Sequence, residues 1–74
     1  MITREQIRMA RAALGWGVRD LAREAGVSAN TISRYENGYD ALGETLKKMQ
    51  RALEAGGVTF TNGDEPGVKL RRRE

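Results

Sequence analysis

Five small or polar residues lie close together near the middle of the chain, and several of their side chains can read DNA bases. An Asn side chain can bond adenine bidentately, an Arg side chain can bond guanine, and Thr or Ala can contact the thymine methyl group. If the segment is helical, the five residues share its outer face near the helix start. They are Ala29, Asn30, Thr31, Ser33 and Arg34. The chemistry of this face therefore suits the major groove of DNA.

Two short helical patterns that meet at Gly26 would position these side chains. In the first pattern, apolar residues recur at helical spacing, at Val18, Leu21, Ala22 and Ala25. Gly26 is expected to end that helix in the left-handed conformation, which glycine enters without a Cβ penalty. Ser28 is expected to cap a second helix that starts at the following residue. In this second helix Ile32 and Tyr35 face inward, and Gly38 offers the next stop.

Elements on both sides of this pair complete a small, mainly helical fold. Thr3 followed by Gln6 forms a capping-box pattern, so a first helix is expected to start there and to end at Gly15. Trp16 is expected to be a core or cap residue rather than a binding platform. Apolar residues at helical spacing predict a fourth helix over residues 44–55. These residues are Leu46, Met49 and Leu53.

Two strands are expected after the fourth helix, because apolar residues alternate with polar ones in two short runs. The alternating apolar residues are Val58, Phe60, Val68 and Leu70. A lone two-stranded hairpin is marginally stable, so it must pack on the helices or pair with another chain. Both outcomes stay open: the four residues form a dimer interface, or the hairpin folds back onto its own domain. The terminal RRRE either reaches phosphates or frays.

Composition limits the classes of function. The chain has 74 residues with no Cys and no His, so disulfides, the usual zinc sites, thiol nucleophiles and histidine acid–base chemistry are excluded. We therefore expect no enzyme activity, no metal and no cofactor. The net charge of +3 favours an anionic partner. Several cations are expected to be merely solvated; these are Arg4, Arg8, Lys47 and Lys48.

The run VRDLAREAGVSANTISRYENG, residues 18–38, resembles the phage repressor and Cro-type helix-turn-helix family, also called XRE-like regulators. The resemblance extends upstream through IRMARAALGW and downstream through ETLKKMQRALEAGGV. It implies a four-helix lambda-repressor-like domain, here over residues 1–56. A β-hairpin and basic tail over residues 57–74 would follow, where relatives often have a fifth helix.

The resemblance also implies roles for individual residues. The second helix of the motif would be the recognition helix, with base-reading positions at Ala29, Asn30, Thr31 and Arg34. Contacts to the DNA backbone would come from Gly17, Val18, Arg19, Ser28, Ser33 and Asn37. Arg11 and Glu36 match a charged pair that ties the first helix to the end of the recognition helix in some relatives.

Two departures from the family pattern bear on these roles. Gly17 stands where relatives usually carry a Ser, Thr or Asn cap, and Val18 stands where many carry a phosphate-contacting Gln. Backbone amides at that helix start can still bind a phosphate. The segment of residues 39–43 lacks the Pro that often precedes the next helix, so a less sharp helix start is expected there.

The sequence therefore predicts a sequence-specific regulator, a repressor or dual regulator, that binds double-stranded DNA as a homodimer on a two-fold operator. The alternative is a protein-interaction module on the same scaffold, such as an antiactivator or an antitoxin. A third reading, a non-specific nucleic-acid binder, would need denser positive charge. No apolar run reaches membrane-spanning length and the start MITREQI lacks a signal-peptide core. We therefore expect no membrane contact and a cytoplasmic location.

Overall fold

The computed structural model describes residues 2–71 of the chain. In this part, four helices are followed by a two-stranded antiparallel sheet. The elements are α1 (Arg4–Leu14), α2 (Val18–Ala25), α3 (Ala29–Glu36), α4 (Gly43–Gly56), β1 (Val58–Thr61) and β2 (Gly67–Leu70). The predicted fold class, four helices with a C-terminal hairpin, is confirmed. Phosphate contact or fraying was expected for the terminal RRRE. Of these residues, Arg71 is described, and its guanidinium donates to the Glu54 carbonyl at 2.7 Å. Residues 72–74 lie outside the described residues.

A side-chain cap marks the start of α1, whereas α4 begins without one. The Gln6 amide donates to the Thr3 hydroxyl at 3.1 Å, and the Thr3 amide donates to the Gln6 side-chain oxygen at 2.9 Å. This is the predicted capping box, and it fixes the start of α1. Leu42 stands at the equivalent position of α4 and offers no side-chain acceptor. The start of α4 therefore has no side-chain cap.

One apolar cluster joins all four helices and the first strand. Its members are Ile2, Ile7, Ala10, Leu21, Ile32, Tyr35, Leu46, Met49, Leu53 and Val58. Trp16 packs against the edge of this cluster and lies next to Gly56. A Cβ atom on Gly56 would come within 3.0 Å of the Trp16 ring and 2.9 Å of Leu14 Cδ1. The end of α4 thus requires glycine so that the indole can pack closely.

The hairpin packs on its own chain through hydrogen bonds as well as apolar contacts. Its register pairs Val58 with Leu70 and Phe60 with Val68. The buried Gln6 amide nitrogen donates to the carbonyl of Thr61 at 2.8 Å and to that of Gly67 at 3.0 Å. Both strands are thereby attached to α1. The predicted alternation places the four apolar residues on one face.

The four apolar residues on this face of the hairpin differ in how far they are exposed to solvent. Val58 is 2% exposed and belongs to the core, so it is covered by its own chain. Phe60 and Val68 are half-buried against the core, and Leu70 is 55% exposed. Of the four residues predicted at a dimer interface, Leu70 is therefore the most accessible.

In the described part of the chain, none of the helices combines the length and apolar character needed to cross a membrane.

Candidate nucleic-acid interface

The turn between α2 and α3 holds the two helices at a fixed angle. Gly26 has φ +73°, and its amide donates to the Ala22 carbonyl at 2.9 Å. Val27 packs against the core. The Ser28 hydroxyl accepts from the Thr31 amide at 3.1 Å, so α3 begins at the next residue. These are the predicted roles of glycine as a left-handed stop and of Ser28 as an N-cap.

The outer face of α3 presents polar side chains at helical spacing. Asn30 and Arg34 are exposed and lie one turn apart on the same side of the helix. Ala29, Thr31 and Ser33 are half-buried. The Thr31 hydroxyl lies 2.7 Å from the Ser28 hydroxyl, so part of its hydrogen-bonding capacity is used within the chain. The structure thus places the four predicted base-reading residues on one short, accessible helix.

Tyr39 contacts this face, and the sequence reasoning did not single it out. The Arg34 guanidinium carbon lies 4.2 Å from the centroid of the Tyr39 ring. Gly38 has φ +107°, the Gly38 amide donates to the Tyr35 carbonyl, and the Tyr39 amide donates to the Arg34 carbonyl at 2.9 Å. This is the Schellman arrangement, in which the residue after the glycine lies beside the residue five positions earlier. The glycine at position 38 is therefore the feature of the sequence that could have predicted the contact between Tyr39 and Arg34.

A buried ion pair ties the inner side of α3 to α1. Arg11 donates from Nε and from an NH2 nitrogen to the two Glu36 carboxylate oxygens, at 2.8 and 2.7 Å. Glu36 is 6% exposed. These hydrogen bonds are the main reason that the pKa of Arg11 is raised above its ordinary value, against the lowering effect of burial. Arg11 also donates to the Trp16 carbonyl at 3.0 Å. The two residues paired by the family resemblance are thus in bidentate contact.

Two more arginines of α1 bind the last carbonyls of α3. Arg4 Nε donates to the Tyr35 carbonyl at 2.9 Å, and its guanidinium lies 4.7 Å from the Tyr35 ring centroid. Arg8 donates to the Glu36 carbonyl. These carbonyls carry the negative end of the helix dipole, so cations stabilise them. The expectation that Arg4 and Arg8 are merely solvated is wrong, because their i, i+4 spacing places both against the end of α3.

The start of α2 is a second candidate contact with phosphates. The Gly17 amide donates to Asp20 Oδ2 at 2.8 Å. This hydrogen bond, followed by one from Arg23, lowers the pKa of Asp20. Among the described residues, the amides of Val18 and Arg19 have no acceptor. The Val18 side chain packs against the core, so only its backbone can contribute.

The other predicted backbone contacts lie around this surface. Arg19 and Ser28 are exposed at the starts of α2 and α3. Asn37 is exposed at the end of α3, and Ser33 is half-buried on it. Lys47 and Lys48 are exposed on α4.

Comparison with known proteins assigns the family. The helix-turn-helix family model matches residues 7–57, which is more than half of the chain. A protein of Archaeoglobus fulgidus, which carries the name of an HTH-type transcriptional regulatory protein, is 41% identical over 49 residues. That match covers 66% of this chain, and the chain spans 16% of the length of the relative. The sequence resemblance is therefore confirmed, and the chain belongs to the XRE-type helix-turn-helix family.

Proposed function

We propose that this chain is a sequence-specific DNA-binding regulator whose α3 enters the major groove. The observation that carries the proposal is the exposed pair Asn30 and Arg34 on a helix whose opposite side is fixed by buried contacts. Side chains of this type form bidentate hydrogen bonds with adenine and guanine. A helix that is held firmly presents them at a defined angle.

Contacts to phosphates would set the orientation of α3 in the groove. The amides of Val18 and Arg19 have no acceptor within residues 2–71, and together with the exposed Arg19 side chain they support a phosphate site at the start of α2. Asn37 at the far end of α3 would meet a second phosphate, and Ser28 and Ser33 would add hydroxyl contacts. Such contacts carry affinity and register, whereas Ala29, Asn30, Thr31 and Arg34 would carry base preference.

We further propose that the protein acts as a homodimer on a two-fold operator, as a repressor or dual regulator. Two recognition helices in successive major grooves on one side of the duplex would lie about 34 Å apart. The exposed Leu70 and the half-buried Phe60 and Val68 support a contact between copies at the hairpin. A reporter linked to the selected operator distinguishes the roles, because a repressor lowers its expression.

Sedimentation of hairpin variants tests the dimer. Leu70→Asp places a charge on the exposed end of the apolar face, and Thr59→Asp places one on the opposite, exposed face. We expect Leu70→Asp to yield a folded monomer and Thr59→Asp to remain a dimer. If both variants sediment as dimers, the hairpin is not the interface.

Selection of bound duplexes from a random DNA pool at near-physiological salt tests the function itself. An enriched inverted repeat with half-sites about one helical turn apart is the expected outcome. A folded protein that retains DNA without enriching any sequence would instead be a non-specific binder, and its affinity would fall steeply with salt.

One observation favours the alternative of a protein-interaction module. Leu42, between α3 and α4, is 76% exposed, and an isolated apolar side chain beside α3 could contact a protein partner. The polar outer face of α3 argues against such a partner, because protein interfaces favour large apolar and aromatic residues at their centres. A folded protein that retains no DNA in the selection would shift the assignment to this module.

A further inference from the structure

We infer that Tyr39 is a positioning residue that holds the Arg34 guanidinium for guanine recognition. The inference rests on the proposed function, since it assigns a specificity role within the same DNA-reading surface. Within residues 2–71, Tyr39 is the aromatic side chain that lies against Arg34, at 4.2 Å from the guanidinium carbon to the ring centroid.

The geometry leaves the hydrogen-bonding edge of Arg34 available. A guanidinium is planar, and its N–H groups point outward in that plane. The guanidinium carbon of Arg34 lies over the Tyr39 ring, so the ring restrains the side chain, and none of the hydrogen bonds within residues 2–71 occupies its donors. Guanine O6 and N7 require two such donors side by side. Contact with Tyr39 limits the rotamers of Arg34 in the free protein, so fewer rotamers are lost when DNA binds. This would favour a bidentate contact with guanine.

Other groups do not compete for these donors within residues 2–71. None of the ion pairs in this part of the chain involves Arg34, and no hydrogen bond engages its guanidinium. The other arginines at α3 differ in this respect, because Arg4, Arg8 and Arg11 all donate to backbone or carboxylate oxygens. The Tyr39 ring holds the Arg34 side chain, while the N–H groups of its guanidinium stay exposed.

The backbone keeps Tyr39 at this place independently of Arg34's side chain. The Tyr39 amide donates to the Arg34 carbonyl at 2.9 Å, and Gly38 supplies the left-handed φ that turns the chain back. Tyr39 is 55% exposed, so it is not retained by burial in the core. Substituting its ring therefore changes the stack while the turn remains.

The test compares five proteins on the selected duplex and on duplexes with each guanine of a half-site replaced in turn. Tyr39→Leu keeps an apolar side chain but removes the ring, and Tyr39→Phe keeps the ring. Arg34→Ala removes the guanidinium group. We expect Tyr39→Leu to lower the preference for guanine by about two- to fivefold, at the same position that Arg34→Ala affects. Tyr39→Phe should match the unsubstituted protein, and the Tyr39→Leu/Arg34→Ala double variant should lose no more preference than Arg34→Ala.

A measurement without DNA keeps the inference separate from the proposed function. Stacking shifts the Arg34 side-chain proton resonances upfield, and this shift should persist in Tyr39→Phe and vanish in Tyr39→Leu. Equal Arg34 shifts in both variants would overturn the stack. A lost shift with unchanged guanine preference would overturn the role of the stack, while the proposed function stands. Failure of the unsubstituted protein to enrich any sequence would overturn the proposed function first and this inference with it.

Discussion

The inner and outer faces of α3 differ in almost every contact they make. On the inner side Ile32 is fully buried, Glu36 forms a bidentate pair with Arg11, and the last carbonyls accept from other arginines of α1. On the outer side Asn30 and Arg34 are exposed. One helix of eight residues thus carries a face that belongs to the protein and a face available to a partner.

This difference indicates that the inner face holds α3 in position, whereas the outer face is available for recognition of a partner. A buried, hydrogen-bonded face is costly to change, because a buried charge without its partner is strongly destabilising. An exposed polar face can change with little effect on folding. Substitutions on the inner face should therefore lower stability, whereas substitutions on the outer face should alter base preference in a protein that stays folded.

The largest effect is expected for Glu36→Ala. It leaves the Arg11 guanidinium, whose side chain is 19% exposed, without its carboxylate. Breaking a buried pair typically costs about 3 to 5 kcal/mol, and the residual exposure of Arg11 places this case near the low end. Urea denaturation measures the loss.

Glu24→Ala is the matched control for Glu36→Ala, because Glu24 is half exposed and lies 3.8 Å from Arg23. Its removal should change the unfolding free energy by less than about 0.5 kcal/mol. If Glu36→Ala does not fold, Arg11→Lys keeps the charge, loses the bidentate geometry, and should show an intermediate loss. Equal stabilities of the Glu24 and Glu36 variants would remove the contrast between the faces.

Arg34→Ala should show the opposite pattern. It is expected to lose about 1 to 3 kcal/mol of preference at one base pair of each half-site. Its unfolding free energy should fall by less than about 1 kcal/mol, which is the worth of an exposed cation–π contact. Asn30→Ala should relax a different position. Binding assays on base-substituted duplexes measure both.

Arg51→Ala serves as the control for loss of positive charge, since Arg51 is exposed on α4. It should leave base preference unchanged. If Arg34→Ala weakens binding uniformly across sequences, as expected of a phosphate contact, Arg34 does not belong to the base-reading set.

Ser28 lies where the two faces meet, and two substitutions separate its roles. Ser28→Ala removes the N-cap of α3 and should cost about 1 kcal/mol of stability. Ser28→Asp retains a capping acceptor and should keep the stability, but its negative charge near phosphates should weaken DNA binding. Thermal unfolding and a binding assay on each variant check this. A Ser28→Asp protein that binds DNA normally would place Ser28 away from the backbone.

The smallest effect is expected for Gly17→Ser at the start of α2. Gly17 has φ −78°, and a Cβ atom there would lie 3.6 Å from Asp20, which is ordinary contact. A serine cap should therefore add a few tenths of a kcal/mol. Gly26→Ser is the matched control, because φ +73° is unfavourable for a side chain, and it should lose about 1 to 2 kcal/mol. Thermal unfolding that ranks Gly26→Ser above Gly17→Ser would contradict this account of the turn.

Local features of the fold could be predicted from the sequence because each depends on a few neighbouring residues. The Thr3 capping box, the Ser28 cap and the left-handed Gly26 are all set by short-range hydrogen bonds or by backbone sterics. The strands followed from the alternation of apolar residues.

Contacts between distant segments could not be predicted in the same way. The donors of Arg4 and Arg8 reach α3 only because of how α1 crosses it, and the sequence alone describes both as ordinary solvated cations. Likewise, Gln6 holds the hairpin by donating to the carbonyls of Thr61 and Gly67, which are distant from it in sequence. The Arg11 and Glu36 pair came from the family resemblance, not from spacing.

The measurement that tests the central claim most directly uses 7-deazaguanine, which lacks the N7 acceptor in the major groove. Each guanine of the selected duplex is replaced in turn, and the affinities of the unsubstituted protein and of Arg34→Ala are compared. We predict that one position in each half-site weakens binding of the unsubstituted protein and leaves Arg34→Ala unaffected. Equal effects on both proteins at every position would contradict the claim that α3 reads guanine through Arg34.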